Sequence, residues 1–331
     1  MLYYYALLYY NINLKQINTM KKIHLISTLI GLLVFSTISK ADLKVVTSIK
    51  PIHSLASYIM DGVGSPGLIV DGYNSPHSFQ LKPSHAKMLE QADIIFWIGE
   101  DLENFLEKPL ATIAKKAEKI ELLEIKGIKK LKFRERNIFE EHEGHNDHGH
   151  DANKEEHDDH EGHGHGEYDP HIWLDPINAK VILSEITEHL IENDSKNAST
   201  YKSNLAKALA EIDKLIIDVI TETNTDLSYV VFHDAYQYYE NRFNVNILGA
   251  MTVNPDVMPG AEQIHEIHEI IEHDNVSCIL SEPQFNPDII KSIVKDTNVK
   301  TGVLDPLGAN LKPGKDLYFD LIRNMSASFN C

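Results

Sequence analysis

The chain has 331 residues, enough for two domains or one large one, and 43% of them are hydrophobic, as in an ordinary soluble globular protein. Its formal net charge of −18 argues against nucleic acid and anionic membrane surfaces as partners. A cation is the more plausible partner for so acidic a chain.

The N-terminal leader, residues 1–41, has the pattern of an export signal. After Met20, two lysines precede a mostly apolar run at Leu25–Ile38, and a small-x-small motif ends at Ala41. This pattern predicts a signal peptide that is cleaved near Ala41. A membrane anchor is the alternative, although the apolar run is short for a span, which needs about 20 residues. The true start is either Met1 or Met20.

Strand and helix patterns alternate directly after the leader. The predicted elements are a strand at Leu43–Ser48, a helix at Pro51–Met60, a strand at Gly67–Tyr73, a helix at Pro83–Asp93 with Ser84 as its N-cap, and a strand at Asp93–Gly99. The last of these is continuously apolar, which is typical of a strand buried on both faces of a parallel sheet. The alternation predicts an α/β fold.

A histidine-rich segment, residues 140–166, interrupts this pattern. It contains ten acidic residues and eight histidines: His142, His145, His148, His150, His157, His160, His163 and His165. Because it has no apolar periodicity and no aromatic residue, we expect it to be disordered. The eight histidines are therefore candidates for weak, auxiliary metal binding.

One long helix is predicted at Ala198–Glu222, where apolar residues recur at spacings of three and four. It would be about 37 Å long and could run along two lobes. Strands and helices then alternate again to residue 308. We expect an N-terminal α/β lobe at 42–176, a helical connection at 177–224 and a C-terminal α/β lobe at 225–331, each lobe with a mainly parallel sheet flanked by helices.

Only two cysteines occur, Cys278 and Cys331. In an exported protein an even pair indicates a disulfide, which here would close a long loop and hold the C-terminus. Two free thiols are the alternative.

Four residues outside the histidine-rich segment are candidates for a metal site. His77 and His171 are in loops that precede helices, His233 ends an apolar strand, and Asp305 ends another. Ligands of open α/β sheets bind beyond the carboxyl ends of the strands, and the two loops could reach the same cleft. Three imidazoles and a carboxylate suit tetrahedral Zn²⁺.

Motifs in both halves resemble one family. The stretches PHSFQLKPS, DPHIWLDP, VVFHDAYQYYE, NPDVMPGAEQIHEIHEI, CILSEPQFNPDIIKSI and GVLDPLG are similar, in this order, to the periplasmic zinc-binding proteins of high-affinity zinc ABC importers (ZnuA-type). The resemblance covers about residues 42–331, and it includes the acidic histidine-rich loop and a C-terminal cysteine. It implies two lobes joined by the long helix, with a metal site in the cleft between them.

The resemblance also implies the ligands. Three histidines of the family fall on His77, His171 and His233, and its carboxylate falls on Asp305; water is the alternative fourth ligand. Related manganese proteins carry Glu at the third position, so His233 favours zinc. Some zinc members have Glu directly before the first ligand, where this chain has Pro76.

The remaining candidates have simpler interpretations. His265, His268 and His273 lie on a predicted amphipathic helix and indicate a solvated face, with a second metal site as the alternative. His53 could line the cleft, and His85 and His189 indicate surface positions. Glu282 ends a strand near the site, but Asp305 is preferred as the ligand.

The sequence thus predicts a monomeric periplasmic protein, not an enzyme, that captures Zn²⁺ and delivers it to an ABC permease in the inner membrane. A manganese-binding or adhesin-like protein on the same scaffold is the first alternative. A zinc hydrolase is the second, although no HExxH motif occurs.

Overall fold

The computed structural model describes residues 42–134, 136–139, 166–253, 255, 259–286, 288–295 and 297–331. The leader and residues 140–165 of the histidine-rich segment lie outside these ranges, so the signal peptide and the eight auxiliary histidines stay predictions. Within the described ranges, no helix has both the length and the apolarity that crossing a bilayer requires.

The N-terminal sheet has four parallel strands in the order β2-β1-β3-β4. Its elements are β1 (Val45–Ile49), α1 (Lys50–Ile59), β2 (Gly67–Val70), α2 (Pro83–Gln91), β3 (Ile94–Trp97), α3 (Glu100–Thr112) and β4 (Glu118–Glu121). The three predicted strands and two predicted helices are all present. α2 begins without the predicted Ser84 cap, because Pro83 occupies the first helical turn and Lys82 precedes it as the N-cap.

Two helices connect the sheets. α4 (Pro176–Asn193) follows a 3₁₀ turn at Ile172–Leu174, and α5 (Ala198–Glu222) has the bounds that the apolar periodicity predicts.

The C-terminal sheet repeats the topology of the first, with the order β6-β5-β7-β8 and all strands parallel. Its elements are β5 (Ser228–His233), α6 (Gln237–Phe243), β6 (Asn246–Thr252), α7 (Ala261–His273), β7 (Cys278–Ser281), α8 (Asp288–Ile293), β8 (Lys300–Val303) and α9 (Leu317–Ser328). The chain leaves β5 toward β6 and later reaches β7 on the other side. β5 is therefore the topological switch point, where ligands of such sheets bind.

The two sheets belong to one compact unit, Leu43–Cys331. α5 packs against α1 and α4 of the first half and against α9 of the second. One hydrophobic core runs through both halves and includes Ile52, Tyr201 and Tyr318, all of which are fully buried. This shared core limits how far the lobes can move apart.

A buried lysine adds a polar link between the lobes. Lys50 starts α1, and its Nζ donates hydrogen bonds to the carbonyl oxygens of Ala309 at 3.0 Å and Leu311 at 2.7 Å. Its side chain is 2% exposed, so these bonds compensate for the burial of its charge. Burial lowers the pKa of Lys50.

The segment before the histidine-rich stretch crosses from the first lobe to the second. Ile138 pairs antiparallel with Gly249, and the backbone N–H of Ala250 donates to the carbonyl of Asn137. A Cβ at Gly249 would lie 2.7 Å from that carbonyl oxygen. Glycine is therefore required for the close approach, and the segment covers the open edge of β6.

The structure joins Cys278, the first residue of β7, to Cys331 in a disulfide with a Cα–Cα distance of 6.3 Å. The bond fixes the C-terminus beside the C-terminal sheet and closes a loop with a sequence separation of 53.

We expect Cys331→Ser to lower the free energy of unfolding by about 4 kcal/mol, because the unfolded chain regains the entropy of that loop. Urea unfolding followed by circular dichroism measures the change. Under reducing conditions the wild type and the variant should unfold together. Equal stability of the variant and the oxidised wild type would contradict the expectation.

Candidate metal centre

Each of the three predicted histidines is placed by a different element. His77 lies in the loop after β2, in the N-terminal lobe, and is half-buried. His171 directly precedes the 3₁₀ turn that leads into α4. His233 is the last residue of β5, at the switch point of the C-terminal sheet. The structure therefore brings together residues from both lobes.

The three imidazoles form one compact cluster. One nitrogen of each ring lies within 4.8 Å of the corresponding nitrogens of the other two. The Nε2 atoms of His171 and His233 are 3.3 Å apart. Two nitrogen ligands of tetrahedral zinc are separated by about 3.3 Å when each bond is about 2.0 Å, so this spacing suits zinc.

Two of the three imidazole rings each contact a buried carboxylate through Nδ1. His171 Nδ1 lies 2.6 Å from Asp169 Oδ1, and His233 Nδ1 lies 2.6 Å from Glu282 Oε1. With each carboxylate ionised, Nδ1 is the donor and Nε2 keeps its lone pair. Such partners orient a ligating imidazole and fix its tautomer.

The pKa values of His171 and His233 are shifted in opposite directions. Burial, together with the nearby His233, lowers the pKa of His171 well below its usual value. Burial alone would also lower the pKa of His233, but the charge and hydrogen bond of Glu282, together with the charges of Asp234 and Asp169, outweigh it and the pKa is raised. Burial raises the pKa of Asp169 to about 7. His171 is thus the more readily neutral of these two rings.

Asp305 is not placed with the histidines. Its carboxylate accepts hydrogen bonds from the backbone N–H groups of Leu307, Gly308 and Ala309 and from the side-chain amide of Gln284. It therefore stabilises the turn after β8. Among the described residues, the compact group that contains the three histidines includes no carboxylate.

A small cavity of about 10 Å³ lies against the cluster. This is about the space that one water molecule or one ion occupies. Its lining includes the three histidines, Glu282, Trp173 and Phe285. The apolar rings exclude water around the nitrogen atoms, which strengthens a metal–ligand bond.

The other histidines have local roles in the structure. Buried His53 contacts the carbonyl of Pro66 through Nε2, and His85 accepts from the N–H of Lys82. His265 on α7 is largely exposed, in line with a solvated face. His189 is less exposed than a surface position implies, because Glu118 and Glu185 flank its ring.

Sequence reasoning missed most of the groups that support the histidines. Asp169 lies two residues before His171, and this spacing could have indicated its role. The side-chain amide of Gln237 donates a hydrogen bond to the second carboxylate oxygen of Asp169 at 3.2 Å. The sequence places Glu282 at a strand end near the site but favours Asp305 as the ligand. No sequence pattern indicated a role for Arg134. Its guanidinium donates hydrogen bonds to Asp234, which follows His233, and to Glu240.

We expect Asp169→Asn to weaken zinc binding by about 10- to 100-fold, the usual scale for a partner behind a ligand. The amide can donate to Nδ1, which would move the ring proton to the ligating Nε2. Competition with a zinc-binding dye measures the affinity. Asp194→Asn is the matched control, since Asp194 is buried and bonds Tyr201 and Asn197 instead. Equal affinity in both variants would refute the positioning role.

Two parallel α/β lobes and a cluster of three buried or half-buried histidines define a two-lobed α/β protein with a candidate metal site. Residues 45–330 match the model of the family described as zinc-uptake complex component A, periplasmic (ZnuA). The chain belongs to this family.

Individual proteins of the same family are similar to the chain in sequence and in fold. The high-affinity zinc uptake system protein ZnuA of Brucella abortus (strain 2308) is 45% identical over 304 residues, which cover 86% of this chain and 90% of that protein. A crystal structure of ZnuA has a TM-score of 0.69 at 21% identity and covers 87% of this chain and all of its own.

The fold alone does not fix the function. A mutant of the laminin-binding adhesin Lmb from Streptococcus agalactiae also has a TM-score of 0.69, at 22% identity, over 87% of this chain and 98% of its own. The choice between zinc transport and adhesion therefore depends on the family match and on the site.

Proposed function

We propose that the protein binds one Zn²⁺ tightly through His77, His171 and His233 and delivers it to a cognate ABC permease. The compact three-nitrogen cluster carries this proposal. Zinc accepts imidazole readily, whereas manganese prefers carboxylate and water oxygens. The names of its relatives, which are zinc uptake proteins, support the same metal.

The site favours capture over catalysis. Both carboxylates that contact the cluster hold an Nδ1 atom, which is a positioning role rather than the activation of water. The family is one of substrate-binding transport proteins. Zinc is therefore the cargo, and we infer that the metal-loaded protein has no hydrolytic turnover.

The proposal also covers where the protein acts, its oligomeric state and how far its lobes move. A signal peptide that ends near Ala41 would deliver the chain to the periplasm, where the disulfide is stable. The protein would act as a monomer, with Asp305 holding its turn and water or another ligand completing the zinc shell. The shared core and the Lys50 bonds would limit lobe closure to a small movement.

The histidine-rich segment would collect zinc weakly rather than form the tight site. Its acidic residues attract cations, but fixing a chain segment around a metal costs conformational entropy. We expect deletion of residues 140–166 to leave one tight zinc and to remove the weaker ones. Calorimetry with native mass spectrometry counts both classes. Loss of the tight zinc on deletion would show that the segment supplies a principal ligand.

A further inference from the structure

A second, larger cavity lies beside the histidine cluster, with a volume of about 760 Å³. It shares Ser75, Gln284 and Phe285 with the small cavity at the histidines, so the two cavities adjoin, and we call the larger one the mouth of the metal site. Pockets of about 300–1,000 Å³ hold small organic ligands, whereas a bare ion needs far less space.

The chemistry of the mouth is unusual for a protein of net charge −18. Its lining offers amides and hydroxyls, among them Asn74, Ser78 and Gln80. Among the described lining residues there is no carboxylate, and Lys82 is the only charged side chain. A path for free cations would favour carboxylates, whereas this lining favours a ligand that carries negative charge.

The metal itself still needs a partner. Zinc normally takes four ligands, and the cluster supplies three nitrogen atoms. Asp305 already accepts four N–H groups, and Asp169 and Glu282 each hold an imidazole. An exogenous ligand that enters through the mouth can fill the fourth position without breaking these bonds.

We propose that the protein binds zinc as a ternary complex with a small di- or tricarboxylate chelator. One carboxylate of the chelator takes the fourth position on the metal. The rest lies in the mouth, where Lys82 pairs with a second carboxylate and the amides bond the remaining oxygens. This inference rests on the proposed function, since it requires that the three histidines bind zinc.

Citrate is the probe. At a fixed, buffered concentration of free zinc, citrate should raise the apparent zinc affinity of the wild type by about tenfold, the scale of one charge-assisted hydrogen bond. Native mass spectrometry should show the protein with both zinc and citrate. Ethylenediamine, a chelator without negative charge, should give no gain. A gain with both chelators, or a spectrum with zinc alone, would overturn the proposal.

The second measurement is the ratio of zinc affinities with and without citrate. Lys82→Gln should reduce this ratio to near one, while Lys87→Gln, on the helix α2 that follows Lys82 and outside the lining, should keep the wild-type ratio. Equal ratios in all three proteins would refute the role of Lys82. His233→Ala in citrate-free buffer distinguishes the chelator proposal from the proposed function. If the wild type bound zinc only weakly there, and His233→Ala bound it equally well, the proposed function itself would be refuted.

Discussion

His233→Ala should lower zinc affinity by at least about 100-fold. The change removes one of three nitrogen ligands, so its effect should exceed the 10- to 100-fold cost of losing a partner behind a ligand. It also leaves Glu282 buried without the ring that it holds. Competition titration against a zinc chelator of known affinity measures the loss.

Two comparisons separate ligation from folding. His77→Ala should show a loss of the same order, and His77 is only half-buried, so its removal disturbs the core less. His265→Ala should bind zinc like the wild type, because that side chain is 74% exposed on α7. Wild-type affinity in His77→Ala and His233→Ala would disprove the ligand set.

Zinc affinity should also fall steeply as the pH falls. Protons and zinc compete for the same nitrogen, so each ligand that is protonated in the metal-free protein costs about tenfold in affinity per pH unit below its pKa. The pKa of His233 is raised and that of His171 is lowered. Competition should therefore begin at His233, above the usual histidine pKa, while His171 stays neutral.

Between pH 7.5 and 5.5 the affinity should fall, by at most about tenfold per pH unit from this one ring once it is protonated in the metal-free protein. Titrations at several pH values give the profile. Glu282→Gln removes the charge that raises the pKa of His233, so its profile should shift to lower pH. An affinity that is constant across this range would contradict protonatable ligands.

Much of the fold was predictable because its elements have strong local patterns. The apolar periodicity of α5 predicted the residues at which this helix begins and ends. The continuous apolar run around Ile94–Trp97 indicated a buried parallel strand. The matching topology of the two sheets was not predictable, since strand order depends on contacts between distant residues and the two halves show no sequence repeat.

The site was predictable to a different degree for each residue. The three histidines stand out because each ends a strand or precedes a helix, and the structure clusters them. Asp305 has the same kind of position, yet its carboxylate turns to the backbone N–H groups that follow it. Position in a motif does not show which way a side chain points, so the pairing of Glu282 with His233 required the structure.

A crystal structure of the zinc-loaded protein, with anomalous data at the zinc edge, would show directly whether the three histidines bind the metal. We expect one strong peak at about 2.0–2.1 Å from a nitrogen of each of His77, His171 and His233. A strong peak elsewhere, with these three rings not bound to metal, would contradict it.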